Sequence, residues 1–337
     1  MATNDKRLVV LYIIDLLKKY TDEKHSLTYS EIIKKLQMEY GILIDAKTLA
    51  RYITSLQNYG IDISKHGNNG CSILSRNMDN SELSFLIDAI FSSKSISSNH
   101  AKELTKHLMN DCSIYEQKKY DYIHKADEIS RTNNKEFFYI IDTITRAIED
   151  NKQLSFTYNE VMLNKQLKTR FNGKEFIINP YFMINNNGKY YLVCNYDKYN
   201  ELSNYKIECI SNIKILDNKI KPIQMLDDTE NFNIANYVNE HIYMFSGKTI
   251  QATIKIAQPK ILNDVVDWYG ENIIVKQKDD DIIVSFNVNE QAFLYWALQY
   301  GMNIEIIKPM ATRKRYVEML KEITSKYEGE NKWINNN

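Results

Sequence analysis

The sequence predicts an α+β multidomain protein: a helical unit with a small hairpin, a helical connector, a small β-barrel and a split α/β domain. Three observations predict it. Apolar residues recur at spacings of three and four through most of the first 150 positions, the period of amphipathic helices. From about 151 to 218 that period gives way to short runs rich in Ile, Val, Tyr and Phe, separated by Asn, Gly, Asp and Ser, which suit half-buried strands. From about 248 to 327 strand-like and helix-like segments alternate as strand-helix-strand-strand-helix-strand, the ferredoxin-like order.

Length and composition bound the function. A chain of 337 residues is long enough for two or three domains, and 44% hydrophobic with 26% charged residues is an ordinary globular balance. The formal net charge of +0 gives no global basic field, so contact with nucleic acid requires a local basic face. No apolar run approaches the roughly 18–20 residues that span a bilayer. Asp5, Lys6 and Arg7 precede an amphipathic pattern, which does not read as a signal peptide. Cys71, Cys112, Cys194 and Cys209 lack metal-ligand spacing and read as reduced thiols of a cytoplasmic protein.

Residues 1–77 read as three helices and a hairpin. Leu8, Leu11, Tyr12, Ile14 and Leu16 mark the first helix. Thr28 with Glu31 forms a capping box that starts a second helix carrying Ile32, Ile33 and Leu36, with Gly41 as its C-cap. Asp45 caps a third helix, 46–58, with Leu49, Ile53 and Leu56 inward. Two short strands, 61–63 and 71–74, flank Gly67-Asn68-Asn69-Gly70. This is a winged helix-turn-helix pattern, in which the third helix reads a DNA groove. Its outward positions are Lys47, Thr48, Arg51 and Tyr52, types that reach phosphates and base edges. Lys65, His66, Asn68 and Asn69 lie on the wing, near the backbone or minor groove. The same pattern also serves protein docking, and a net charge of +3 over the unit is a weak electrostatic footprint.

Residues 78–150 form a helical connector. Its helices carry Leu83, Leu86, Ile87, Ile90 and Phe91, then Ala101, Leu104, Leu108 and Met109, then Phe138, Ile141, Ile144, Ala147 and Ile148. These positions read as packing surface, including a dimer contact.

Residues 151–218 hold strands at 153–159, 167–171, 175–179, 181–185, 189–196, 203–208 and 210–216, some merging across bends. Many short strands with little helix predict a small barrel. Asn185-Asn186-Asn187-Gly188 supplies a tight hairpin. Asn179-Pro180-Tyr181, then Gly188-Lys189-Tyr190-Tyr191-Leu192, then Tyr205-Lys206-Ile207-Glu208, in that order, resemble the WYL domain of bacterial transcriptional regulators. Tyr190-Tyr191-Leu192 stands where the family has Trp-Tyr-Leu. The resemblance implies an Sm-like barrel with a polar pocket. Ser155 and Tyr158 match the Ser and Tyr of the family's first strand, Lys206 falls on its first Arg and Cys209 on its second. Lysine keeps the charge but loses the planar fork, and cysteine loses the charge. Lys168, Arg170 and Lys174 form a basic loop that could compensate. With Tyr205, these residues predict an anionic ligand, a nucleotide or nucleic-acid strand; the alternative is a domain that serves only as structure.

Residues 219–247 join this domain to 248–327, which resembles the WCX extension that follows WYL domains. Strands at 249–256, 272–276, 281–288 and 302–308 alternate with helices opened by Pro259 and Asn289. Trp296, Tyr295 and Tyr300 read as core, and Arg313-Lys314-Arg315 as a solvated basic triplet or a phosphate contact.

No Gly-rich phosphate loop, His-Glu-x-x-His, paired Cys ligands or nucleophile elbow occurs. The expectation is a cytoplasmic, homodimeric, sequence-specific DNA-binding regulator, not an enzyme, without cofactor, metal or membrane partner. Its partners would be a double-stranded operator and a nucleotide or oligonucleotide effector. The alternative is a single-stranded nucleic-acid module whose N-terminal unit docks protein.

Overall fold

The computed structural model describes residues 8–66, 70–74, 76, 78–120, 134–163, 167–227, 232–278 and 281–328. Its contacts divide the chain into units 1–133 and 134–337.

The first unit begins with α1 (Val9–Tyr20), β1 (Leu27–Thr28), α2 (Tyr29–Tyr40), α3 (Ala46–Tyr59), β2 (Ile63–His66) and β3 (Gly70–Ile73). Local chemistry sets these boundaries. The Thr28–Glu31 capping box opens α2, and Gly41 closes it at φ 69°. The Asp45 carboxylate accepts from the Thr48 amide at 2.8 Å to open α3, and Gly60 ends that helix at φ 106°. Val9, Ile13, Leu16 and Leu17 of α1 meet Ile32 and Leu36 of α2 and Leu49, Ile53 and Leu56 of α3 in one core. Each such burial contributes about 1.5–3 kcal/mol. Leu11 points outward and is 56% exposed. The strands form an antiparallel sheet ordered β1-β3-β2. The Gln57 side chain donates to the Ile63 carbonyl at 2.7 Å and ties α3 to the sheet.

The unit continues with α4 (Asn80–Ser92), α5 (Ser98–Met109) and the short α6 (Ile114–Gln117). An Asp79–Glu82 capping box opens α4. A buried polar network joins α6 to the turn after α1. Asp22, 6% exposed, accepts from the Ser113 hydroxyl at 2.7 Å, the His25 ring at 2.7 Å, and the Lys24 and His25 amides at 2.9 Å each. Arg76 donates to the Lys18, Thr21 and Asp111 carbonyls and lies 3.6 Å from Glu116.

The second unit opens with α7 (Phe137–Glu149), which buries Phe137, Ile140, Ile144 and Ala147. The sequence reading assigned this helix to the connector; its apolar face instead packs on the strands that follow. These are β4 (Lys152–Val161), β5 (Leu167–Thr169), β6 (Glu175–Asn186), β7 (Lys189–Asn195), β8 (Ser203–Lys206) and β9 (Ile210–Lys219). They run β5-β4-β6-β7-β8, with β9 on the other side of β4. The runs 175–179 and 181–185 merge into β6, which pairs with β4 up to Ile178 and with β7 from Asn179. A bulge in β9 opposite Ser155 and Thr157 holds Asn212 at φ 52° and bends the sheet. Gln153, Asn179, Asn195 and Asp197 form a hydrogen-bonded network behind β4, β6 and β7.

After α8 (Ile234–Glu240) come β10 (Thr249–Ile256), α9 (Ile261–Tyr269), β11 (Ile274–Lys278), β12 (Asp281–Asn289), α10 (Glu290–Tyr300), β13 (Ile304–Lys308) and α11 (Met310–Glu328). The sheet order is β11-β12-β10-β13, all antiparallel. Trp296, Phe293, Val265 and Ile254 are buried in its core. Tyr295, read from the sequence as core, is 50% exposed, because α10 turns that position outward. Asn289 caps α10 through the Ala292 amide at 3.0 Å. Gly301 has ordinary helical φ; its lack of a side chain serves close approach, since a Cβ there would lie 2.6 Å from the Tyr316 hydroxyl. The hairpin expected at Asp279-Asp280 lies outside the described residues.

Candidate nucleic-acid interface and ligand site

In the first unit, α3 turns Leu49, Ile53 and Leu56 into the core, which leaves the opposite arc in solvent. Lys47 and Arg51 are exposed on that arc. Thr48 is half-buried, and its hydroxyl donates to Asp45 at 3.0 Å and accepts from Arg51 at 3.2 Å. Tyr52 packs against the core at the margin of the arc. Continuing the helical period adds exposed Thr54, Ser55 and Asn58 to the Lys47–Arg51 side. Sequence reasoning missed these three by stopping at Tyr52; the 3.6-residue period was the available signal. On the hairpin, Lys65 and His66 are exposed, and the His66 ring lies 2.9 Å from the Ser72 hydroxyl. Asn68 and Asn69 lie outside the described residues.

In the second unit, Tyr158, Tyr205 and Lys206 come together. The Tyr158 hydroxyl accepts from the Lys206 amide at 3.2 Å, and the Tyr158 and Tyr205 rings meet edge to face at 5.0 Å. Tyr205 also packs on Phe156 at 5.3 Å and shares a hydrogen bond with the Tyr196 hydroxyl. Burial pushes the Tyr158 hydroxyl well above its ordinary pKa, with Cys209 and Tyr205 adding to the effect. Burial also lowers the Lys206 ammonium, and Lys189 beside it lowers it further. Cys209, whose thiol hydrogen-bonds Tyr158, is raised by burial and by Glu208. Two adjacent half-buried lysines favour an anion, whose charge offsets their mutual repulsion beyond what Glu208 already offsets at Lys206. Lys189 is the member sequence reasoning overlooked.

Ser155 does not join this group. β4 keeps regular alternation against β6, so Tyr158 shares a face with Leu154 and Phe156 while Ser155 lies on the other with Thr157. Ser155 is 1% exposed, and its hydroxyl has no hydrogen-bond partner among the described residues. Lys168 is exposed on β5 and pairs in register with Glu160. Arg170 lies 3.6 Å from Glu160 and close enough to Tyr205 to lower the pKa of its hydroxyl.

A row of aromatic rings runs along this side of the sheet. Phe171 lies 6.3 Å from Phe176, Phe176 lies 6.4 Å from Tyr196, and Tyr196 lies 6.2 Å from Tyr199. Arg170, Lys174 and Lys198 sit over Phe171, Phe176 and Tyr199 at 4.8, 5.9 and 5.6 Å. The ends of the row are open: Phe171 is 60% exposed and Tyr199 53%. In the last domain, Arg313 pairs with Glu305 at 2.8 Å and Arg315 donates to Gln291 at 2.7 Å, so these two cations of the basic triplet are engaged within the domain.

Fold and surfaces together define a mixed α/β protein of several antiparallel sheets with one strand-rich domain at its middle. That domain can be named: residues 139–215 match the WYL domain family, and the chain carries a WYL domain. No curated protein matches the chain by sequence. Among solved structures, proteasome accessory factor B/C of Arthrobacter aurescens aligns at 13% identity and TM-score 0.30, over 95% of this chain and 49% of that one. This chain thus spans about half the length of that relative. A CRISPR Cas-related protein aligns at 14% identity and TM-score 0.38, over 97% of this chain and 87% of that one. At such scores neither likeness bears on how this chain works. No helix among the described residues is long and apolar enough to cross a membrane.

Proposed function

We propose that this chain is a cytoplasmic, homodimeric, sequence-specific DNA-binding transcription regulator and not an enzyme. Its WYL domain would take an anionic ligand, a nucleotide or nucleic-acid strand, that modulates DNA binding. The observation that carries this is the solvent-facing arc of α3, with Lys47, Arg51, Thr54, Ser55 and Asn58, on a three-helix unit with a β1-β3-β2 sheet in a chain that has a WYL domain. Such a unit has the arrangement of a winged helix-turn-helix, and its third helix is the groove reader. The last domain fits a ferredoxin-like WCX extension with a role in sensing or in the dimer. A second copy would double a modest interface, so a two-fold symmetric operator is expected.

The aromatic and cationic row from Phe171 to Tyr199 favours a second reading, in which single-stranded nucleic acid is the main ligand and not the effector. Fluorescence anisotropy with duplex and single-stranded oligonucleotides separates the two. The first reading expects duplex binding that is lost in Arg51→Ala. Single-strand binding that ignores Arg51→Ala but fails in a Phe171→Ala, Tyr199→Ala variant would establish the second.

A further inference from the structure

The end of β8 gathers three side chains that can act as nucleophiles: Lys206, Tyr158 and Cys209. The β7–β8 register sets Tyr191 opposite Lys206, so Lys189, two residues before Tyr191, lies on the same face of the sheet as its diagonal neighbour. The two lysine side-chain nitrogens come within hydrogen-bonding range. An ammonium donates and cannot accept, so this contact suits a free amine beside an ammonium and not two ammonium groups. Burial favours the neutral form of all three candidate nucleophiles. It raises Tyr158 and Cys209 and lowers Lys206, where Cys209 and Glu208 act in the opposite sense but are outweighed. A neutral phenol or thiol is the unreactive form, whereas a neutral amine is the reactive one. Lys206 is half-buried and still reached by solvent.

We infer that Lys206, with Lys189 beside it, is a site of covalent acylation by acyl phosphates. Such a molecule carries both the anion that the lysine pair favours and the electrophilic carbon that a free amine attacks. The Lys189 ammonium takes the phosphate oxygens, and the Lys206 nitrogen attacks the acyl carbon. The C–N bond forms as the bond from that carbon to the bridging oxygen breaks. Inorganic phosphate leaves with the electron pair and takes the proton from the nitrogen. The amide that results carries no charge, so acylation switches off the lysine pair as an anion site. For the capture of the phosphate the inference rests on the anion reading of the WYL domain.

Incubation of the full chain with acetyl phosphate, with site-by-site acetylation rates read by mass spectrometry of a digest, tests the inference. Lys206 should be acetylated about tenfold faster than the exposed Lys321 and Lys326, and its rate should level off at a lower pH than theirs. Lys189→Met should slow the reaction at Lys206 about fivefold with acetyl phosphate, and by a smaller factor with the uncharged acetic anhydride. Both variant and wild type are checked for fold by circular dichroism. A rate at Lys206 no greater than at Lys321 and Lys326, or one unchanged in Lys189→Met, would overturn the inference. Oligonucleotide binding by the unmodified chain is measured alongside. Binding without selective acetylation sinks the inference and leaves the ligand reading standing; selective acetylation without binding does the reverse.

Discussion

Replacing Asp22 by alanine should cost the first unit about 3–5 kcal/mol. The carboxylate is 6% exposed and accepts four hydrogen bonds, from Ser113, the His25 ring and two backbone amides. Hydrogen bonds to charged groups are worth roughly 1.5–3 kcal/mol each, and a buried donor left unpaired costs about 1–3 kcal/mol. Ser113 is fully buried and would be left without its acceptor, whereas the partly exposed His25 ring recovers its loss through water. Ser113→Ala removes one of the four bonds and also the cap to which the Glu116 amide donates at 3.1 Å, and should cost about 2–3 kcal/mol. Urea unfolding of the full chain, followed by circular dichroism, reads the effect as a shift of the first unit's midpoint by roughly 2 M. A loss below about 1 kcal/mol, or one no larger than that of Ser113→Ala, would refute the claim that this network fastens α6 to the turn after α1.

The remaining predictions follow from the same residues. Burial alone would raise the Asp22 carboxyl, but hydrogen bonds from Ser113, His25 and the Lys24 amide outweigh it and hold its pKa low. Its stabilisation is therefore complete above the unfolded value of about 3.9 and is lost as pH falls through the lower folded value; the gap between wild type and Asp22→Ala should close in acid titrations below about pH 4. Arg51→Ala with Lys47→Ala should leave the melting curve unchanged, weaken duplex binding by about 2–4 kcal/mol and flatten the salt dependence by roughly two counterions, measured by anisotropy over a salt series. Lys206→Met removes a half-buried charge whose pKa is already lowered by burial and Lys189. It should leave the thermal midpoint unchanged or higher and abolish the thermal shift produced by a short oligonucleotide, with duplex binding retained.

Features with local causes were legible in the sequence. The caps at Thr28, Asp45 and Asn289 and the closing glycine Gly41 depend on a few neighbouring residues, and each acts where the sequence places it. What depends on distant partners was not legible. β1 is two residues long and is a strand only because Leu27 and Thr28 pair with Cys71 and Gly70. α7 has a helical pattern wherever it packs, and only the tertiary structure assigns it to the strands that follow. The group around Tyr158 and Lys206 was partly legible. Lys189 comes beside Lys206 because β7 pairs with β8, which no spacing reveals. The separation of Ser155 from Tyr158 was available, since residues three apart on a strand face opposite sides.

Selection of randomised duplex DNA by the purified full chain, with sequencing of the retained fraction, tests the central claim most directly. The account predicts enrichment of a two-fold symmetric motif, lost in Arg51→Ala and altered by an oligonucleotide effector. A folded protein that enriches no motif, with or without nucleotides and oligonucleotides added, would contradict it.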